Sequence, residues 1–171
     1  MKERVAELPW WVYRVHTPPD GEKDYVVCLS PEIVSRGGCP QEAILGVLLQ
    51  PVEPGMRITP AVFWQNPAFV DFLHEVIARR GPQVPGVIEE AMRQQKGWVY
   101  VIDGRTRTPQ GHVPPEDILG AFTVSSRKIV PGSYSRCPKH LVLSADGFVR
   151  LAAELLDCLL EELASRLKAS Q

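Results

Sequence analysis

Apolar positions along this chain follow two different periods, and the switches between them mark out the elements. Residues 10–17 mix aromatic and β-branched side chains and stop at Thr17-Pro18-Pro19-Asp20-Gly21, a turn cluster. Residues 25–29 resume the same character, so the two runs predict a hairpin over a long loop. Ser30-Pro31-Glu32 opens a short helical turn that Gly37-Gly38 stops. Residues 43–50 are apolar almost throughout and fit either a helix following Pro40 or a strand buried on both faces.

The period then lengthens to that of a helix. Asn66-Pro67 is an N-cap followed by proline at the first helical position, where the missing N–H costs nothing. Phe69, Leu73, Val76, Ile77 and Arg80 recur at helical spacing until Gly81-Pro82. A second helix over 85–95 carries Val84, Val87, Ile88, Ala91 and Met92 on one face, with Gly97 expected to close it. His74, one position past Leu73, reads as a packing or surface residue.

From Gly97 onward the pattern returns to period two. Residues 98–102, Trp-Val-Tyr-Val-Ile, form the strongest strand signal, and their near-continuous apolarity predicts a central place in a sheet with Trp98 buried. Residues 118–124 read as a strand, Ser125-Ser126-Arg127 as a turn and 128–130 as its return. Residues 140–143 and 148–151 flank Ser144-Ala145-Asp146-Gly147, a second hairpin by its Asp-Gly signal. A leucine-rich helix follows over about 152–168. Two helices inserted among antiparallel hairpins, with a third at the end, predict one α+β domain over 1–171, built on a mainly antiparallel sheet.

Composition narrows the class without naming an activity. At 44% hydrophobic and 23% charged the chain has an ordinary globular balance. Sixteen prolines and thirteen glycines are dispersed and not pooled, which predicts stiff loops and no linker. No run approaches the ~20 apolar residues that cross a bilayer, so no membrane partner is expected. Residues 1–8 lack the apolar stretch of an export signal, which predicts a cytoplasmic chain. A formal charge of −1 removes the electrostatic case for nucleic acid. Neither a dinucleotide fingerprint nor a phosphate loop is present, and no cofactor is expected. Cys137 and His140 form Cys-x-x-His, half of a zinc site, but Cys28, Cys39 and Cys158 supply no second pair, so no metal is expected either.

Charge is locally unbalanced in one segment. Residues 104–140 hold Arg105, Arg107, Arg127, Lys128, Arg136 and Lys139 against Glu116 and Asp117, a net +4, with His112 and His140 besides. The leading reading is a non-catalytic interaction module that meets a protein partner or an anionic small ligand along this basic edge. Arg105, Arg107, Tyr134, Arg136, Lys139 and His140 are its binding candidates. The competing reading is a small hydrolase or transferase acting on an anionic substrate. Asp103, His112 and Glu116 would do its acid–base work, Ser133 or Cys137 would supply a nucleophile, and Arg105 and Arg136 would hold the anion. Convergence of these side chains on a pocket is what separates the two readings.

The last helix raises a question of assembly. Leu151, Leu155, Leu156, Leu159, Leu160, Leu163 and Leu167 cover an arc wider than the ~100° that one core needs. The surplus packs either on the helical hairpin of the same chain or on a second copy, and a two-fold homodimer is the expectation.

Overall fold

Turn chemistry and strand propensity assemble two main antiparallel sheets in this protein, with helices inserted between their strands. The computed structural model describes residues 2–3, 10–17, 21–30, 32–34, 38–53, 55–105 and 113–169. The chain is α+β: sheets of five, four and two strands, all antiparallel, accompany helices α1 (Pro67–Arg80), α2 (Pro85–Gln94) and α3 (Ala153–Ala169). No helix among the described residues is long and apolar enough to cross a membrane. The residues divide into two compact units, one of Met1–Phe72, Val142–Phe148 and Leu160–Gln171, the other of Leu73–Leu141 and Val149–Leu159.

The first unit is a five-stranded meander of β1 (Lys2–Glu3), β2 (Trp11–Thr17), β3 (Gly21–Val27), β4 (Ile44–Leu48) and β5 (Phe63–Gln65). Residues 43–50, open between helix and strand in the sequence, become a 3₁₀ turn at Gln41–Ala43 running into β4. Asn66 caps α1 as expected: its Oδ1 accepts the Ala68 N–H at 3.2 Å, while its amide donates to the carbonyls of Gln41 and Ile44. A half-buried ion pair spans β2 and β3, where Arg14 faces the buried Asp24 in register. Nε and Nη2 of Arg14 reach the two Asp24 carboxylate oxygens at 2.8 and 3.0 Å, and Val52 N–H donates to Oδ2 at 2.6 Å. The two-stranded hairpin β10 (Leu143–Ser144) and β11 (Gly147–Phe148) belongs to the same unit, and Phe148 meets Phe63 edge-on.

The second unit is built around β7 (Ile118–Ser125), which pairs with β6 (Gly97–Ile102) on one side and with β8 (Lys128–Ile129) and β9 (Ser135–Arg136) on the other. The β7–β8 turn is a two-residue loop with positive φ at Ser126 and Arg127, the twist-matched geometry of a tight hairpin. Helix α2 covers the sheet through Ala91 and Val87, against Val99 and Val124.

Two expectations are overturned here. Among the described residues, strand 98–102 lies at the sheet edge, and β7, with Leu119, Gly120, Ala121, Phe122 and Val124 buried, is the central one. Burial in β6 alternates: Val99 and Val101 point inward, whereas Trp98 and Tyr100 are 50% and 56% exposed. Aromatic and β-branched residues suit a pleated surface whether or not it is covered, so strand propensity does not imply burial. The second correction concerns the end of α2. Gln95, not Gly97, takes the first left-handed position, at φ 68° and ψ −39°. Lys96 N–H closes a tight three-residue turn onto the Gln94 carbonyl at 2.7 Å, a strained geometry for a side-chain-bearing residue.

Gln95→Gly relieves the positive-φ strain and is expected to raise stability by about 0.5–1 kcal/mol, read as a higher urea midpoint. Burial pushes the Asp24 carboxyl up, but the bonds from Arg14 and Val52 and the Arg14 charge outweigh it, so the group titrates below its ordinary range. A depressed folded-state value means that the carboxylate stabilises the fold above the unfolded value of ~3.9 and loses that contribution as acid titrates the pair. Urea midpoints should therefore fall on acidification below about pH 4, less steeply in Asp24→Asn than in the unmodified protein.

Candidate functional site

An antiparallel pair places the end of one strand beside the start of the next. Here that geometry sets Asp103, just past β6, next to Asp117, just before β7, and Asp103 N–H donates to the Asp117 carbonyl at 2.8 Å. Two carboxylates in the interior demand a cation, and Arg105 supplies it. Its Nε lies 2.8 Å from Asp117 Oδ1 and 3.4 Å from Asp103 Oδ2. Its Nη2 donates to the Glu116 carbonyl at 2.8 Å and to the Leu141 carbonyl. His140 Nε2 donates to Asp103 Oδ2 at 3.1 Å, and Asp103 Oδ1 accepts the backbone N–H groups of Arg105 and Arg150 at 3.1 and 2.8 Å. Asp103, Arg105, Asp117 and His140 are all buried.

Four stretches of chain meet in this cluster: 103–105, 116–117, 140–141 and 150. Asp103 alone receives four donors, counting the long contact to Arg105 Nε, so its charge is answered on every side that the geometry shows. A His–Asp pair is also how many hydrolases orient a base. Both nucleophile candidates are engaged with backbone, although the Cys137 carbonyl accepts the His140 N–H at 3.3 Å. Ser133 Oγ accepts Thr123 N–H at 3.0 Å, and the Cys137 thiol points to the Pro115 carbonyl at 3.6 Å. Among the described residues no group of three or more His, Cys, Asp or Glu is arranged to hold a metal.

The candidates read from the sequence are thereby sorted. Asp103, Arg105 and His140 converge, with Arg105 facing inward and not along a basic surface. Glu116 joins the cluster through its carbonyl. Arg136 and Lys139 are exposed, Arg136 on β9 opposite Gly120. Arg107 and His112 lie outside the described residues.

Tyr134 belongs to a second polar chain that the sequence did not reveal. Its hydroxyl lies 2.7 Å from Nδ1 of the buried His74 and donates to the Leu119 carbonyl at 3.3 Å. Burial pushes the phenol well above its ordinary range. Gly120 makes room for it, since a Cβ there would come within 2.6 Å of the Tyr134 ring. His74 and Tyr134 are sixty positions apart, and no spacing rule connects them. Asp117 was counted only as a charge, although an acid at each of two neighbouring strand ends is a legible demand for a cation between them.

No family model, characterised protein or solved structure matches this chain.

Removing one member of a buried charged cluster strands the others, so Asp103→Ala is expected to cost about 3–5 kcal/mol of stability. His140→Gln retains a donor toward Asp103 and should cost only about 1 kcal/mol. Chemical denaturation of the two variants checks the order.

Proposed function

We propose that this chain is a non-catalytic binding module that meets an anionic protein partner through the basic edge of 104–140. The observation that carries this reading is the internal satisfaction of the Asp103–Arg105–Asp117–His140 cluster. Its acid, base and guanidinium groups are engaged with one another and with backbone, which fits a clasp holding the loops that display the edge. The hydrolase or transferase reading needs Asp103 open to a substrate, and Asp103 has no exposed surface.

The surface offered to a partner is carried by Arg127 and Lys128 at the β7–β8 turn. Together with Pro82, Ile88, Met92 and Ile129 they line an open hollow of about 490 Å³. Ile88 and Met92 are exposed there, so apolar contact and positive charge stand side by side. An acidic segment with a large apolar anchor has the matching chemistry, the Met side chain adapting to its shape.

Reversal of both cations, Arg127→Glu with Lys128→Glu, should abolish co-purification of the partner from cell extract without changing the circular dichroism. Mass spectrometry of the recovered proteins checks it. Recovery that the reversal leaves unchanged would reject the basic edge.

A further inference from the structure

A second surface of the same unit has the opposite chemistry. A cleft of about 660 Å³ lies between α2, the first turn of α3 and strand β6. Val99, Tyr100, Val101 and Ile102 all line it. Successive residues of a strand point to opposite faces, so four consecutive lining residues bring the edge of β6, not one face, to the cleft. Among the described residues that edge has no strand beside it, because β6 pairs with β7 alone.

Natural sheet edges are usually protected by charge, proline or shortness. Gly97–Ile102 carries no charged residue and no proline, and it spans six residues. Its outward face is an apolar stripe of Trp98, Tyr100 and Ile102. The cleft that this edge meets has a lining that includes Glu89, Glu90 and Glu154 but no Lys, Arg or His. Glu90 is bound by Arg93 and Gln94. Glu89 and Glu154, from two different walls, are both exposed.

We infer that the β6 edge takes an extended peptide by strand addition, one in which Lys or Arg alternates with aromatic or β-branched residues. Main-chain bonds to β6 hold such a segment in register, and alternate side chains read the two faces. The cationic positions lie on the same side as Val99 and Val101, their aliphatic stems running beside the edge toward the α2 wall and their charges at Glu89 and Glu154. The apolar positions cover Trp98, Tyr100 and Ile102. A second copy of this chain is the poorer occupant: paired edge to edge, its own uncharged β6 leaves Glu89 and Glu154 unanswered. The site is separate from the cationic hollow, and its test does not depend on that reading.

Fluorescence polarisation with a labelled peptide of alternating Lys and Val tests the inference on the full chain. Binding at about 100 μM or tighter is expected, with loss of about tenfold in Glu89→Lys combined with Glu154→Lys. The reversed variant should instead take a peptide of alternating Glu and Val, which shows that it is folded. Methylating every second peptide nitrogen along the pairing edge should remove binding. No binding of the Lys–Val peptide at ~1 mM, or equal binding of its methylated form, would overturn the proposal. So would a dimer, seen by light scattering, that Tyr100→Lys disperses, because it assigns the edge to a second copy.

Discussion

Two carboxylates held side by side in the interior cannot both stay charged without a cation between them. The β6–β7 pairing creates that situation with Asp103 and Asp117, and Arg105 resolves it from the loop that follows. Once the guanidinium sits there, its remaining donors fix the Glu116 and Leu141 carbonyls. Asp103 in turn fixes His140 and the Arg150 amide. Backbone from four parts of the chain is thereby positioned by one charge balance. A hydrophobic core fills space without specifying which loop meets which, whereas a guanidinium fork between carboxylates accepts few geometries.

Local signals in the sequence translated well where the structure is local. The Asn66-Pro67 cap, the Gly81-Pro82 break and the Ser126-Arg127 turn stand where turn and cap chemistry put them. The Asp-Gly signal also marks a hairpin, but its strands are only Leu143–Ser144 and Gly147–Phe148, closed over Ala145 and Asp146, and not 140–143 and 148–151. The sequence predicts strand 98–102 but not its place within the sheet, because apolarity does not say which face is covered. The cluster around Asp103 was half legible. Asp103, Arg105 and His140 stand out in the sequence as charged or polar loop residues, and the Asp103–Arg105 turn contact is local, but charge in a loop segment carries no sign of facing inward. The pairing of His74 with Tyr134 is not legible in the sequence, because only the fold brings positions sixty apart together.

Helix α2 separates two surfaces of opposite sign. Glu89 and Glu90 turn toward the cleft at β6, while Ile88 and Met92 turn toward the hollow that holds Arg127 and Lys128. Between them Val87 and Ala91 face the sheet. A ten-residue helix thus presents an acidic flank, an apolar base and a flank next to cations. The near-neutral total charge conceals this polarity, because patches of opposite sign cancel in the sum.

The division of the chain into two units bears on how the molecule is made. The first unit draws on residues 1–72, 142–148 and 160–171, and the second on 73–141 and 149–159, so the chain passes between them four times. Two of those passages fall inside helices, within α1 and within α3. During synthesis the five-stranded sheet emerges first, yet its unit lacks members until the last turns of α3 leave the ribosome. The second unit has all its residues once position 159 is out. Order of emergence and order of completion are therefore reversed, and the part made earliest waits longest for its partners.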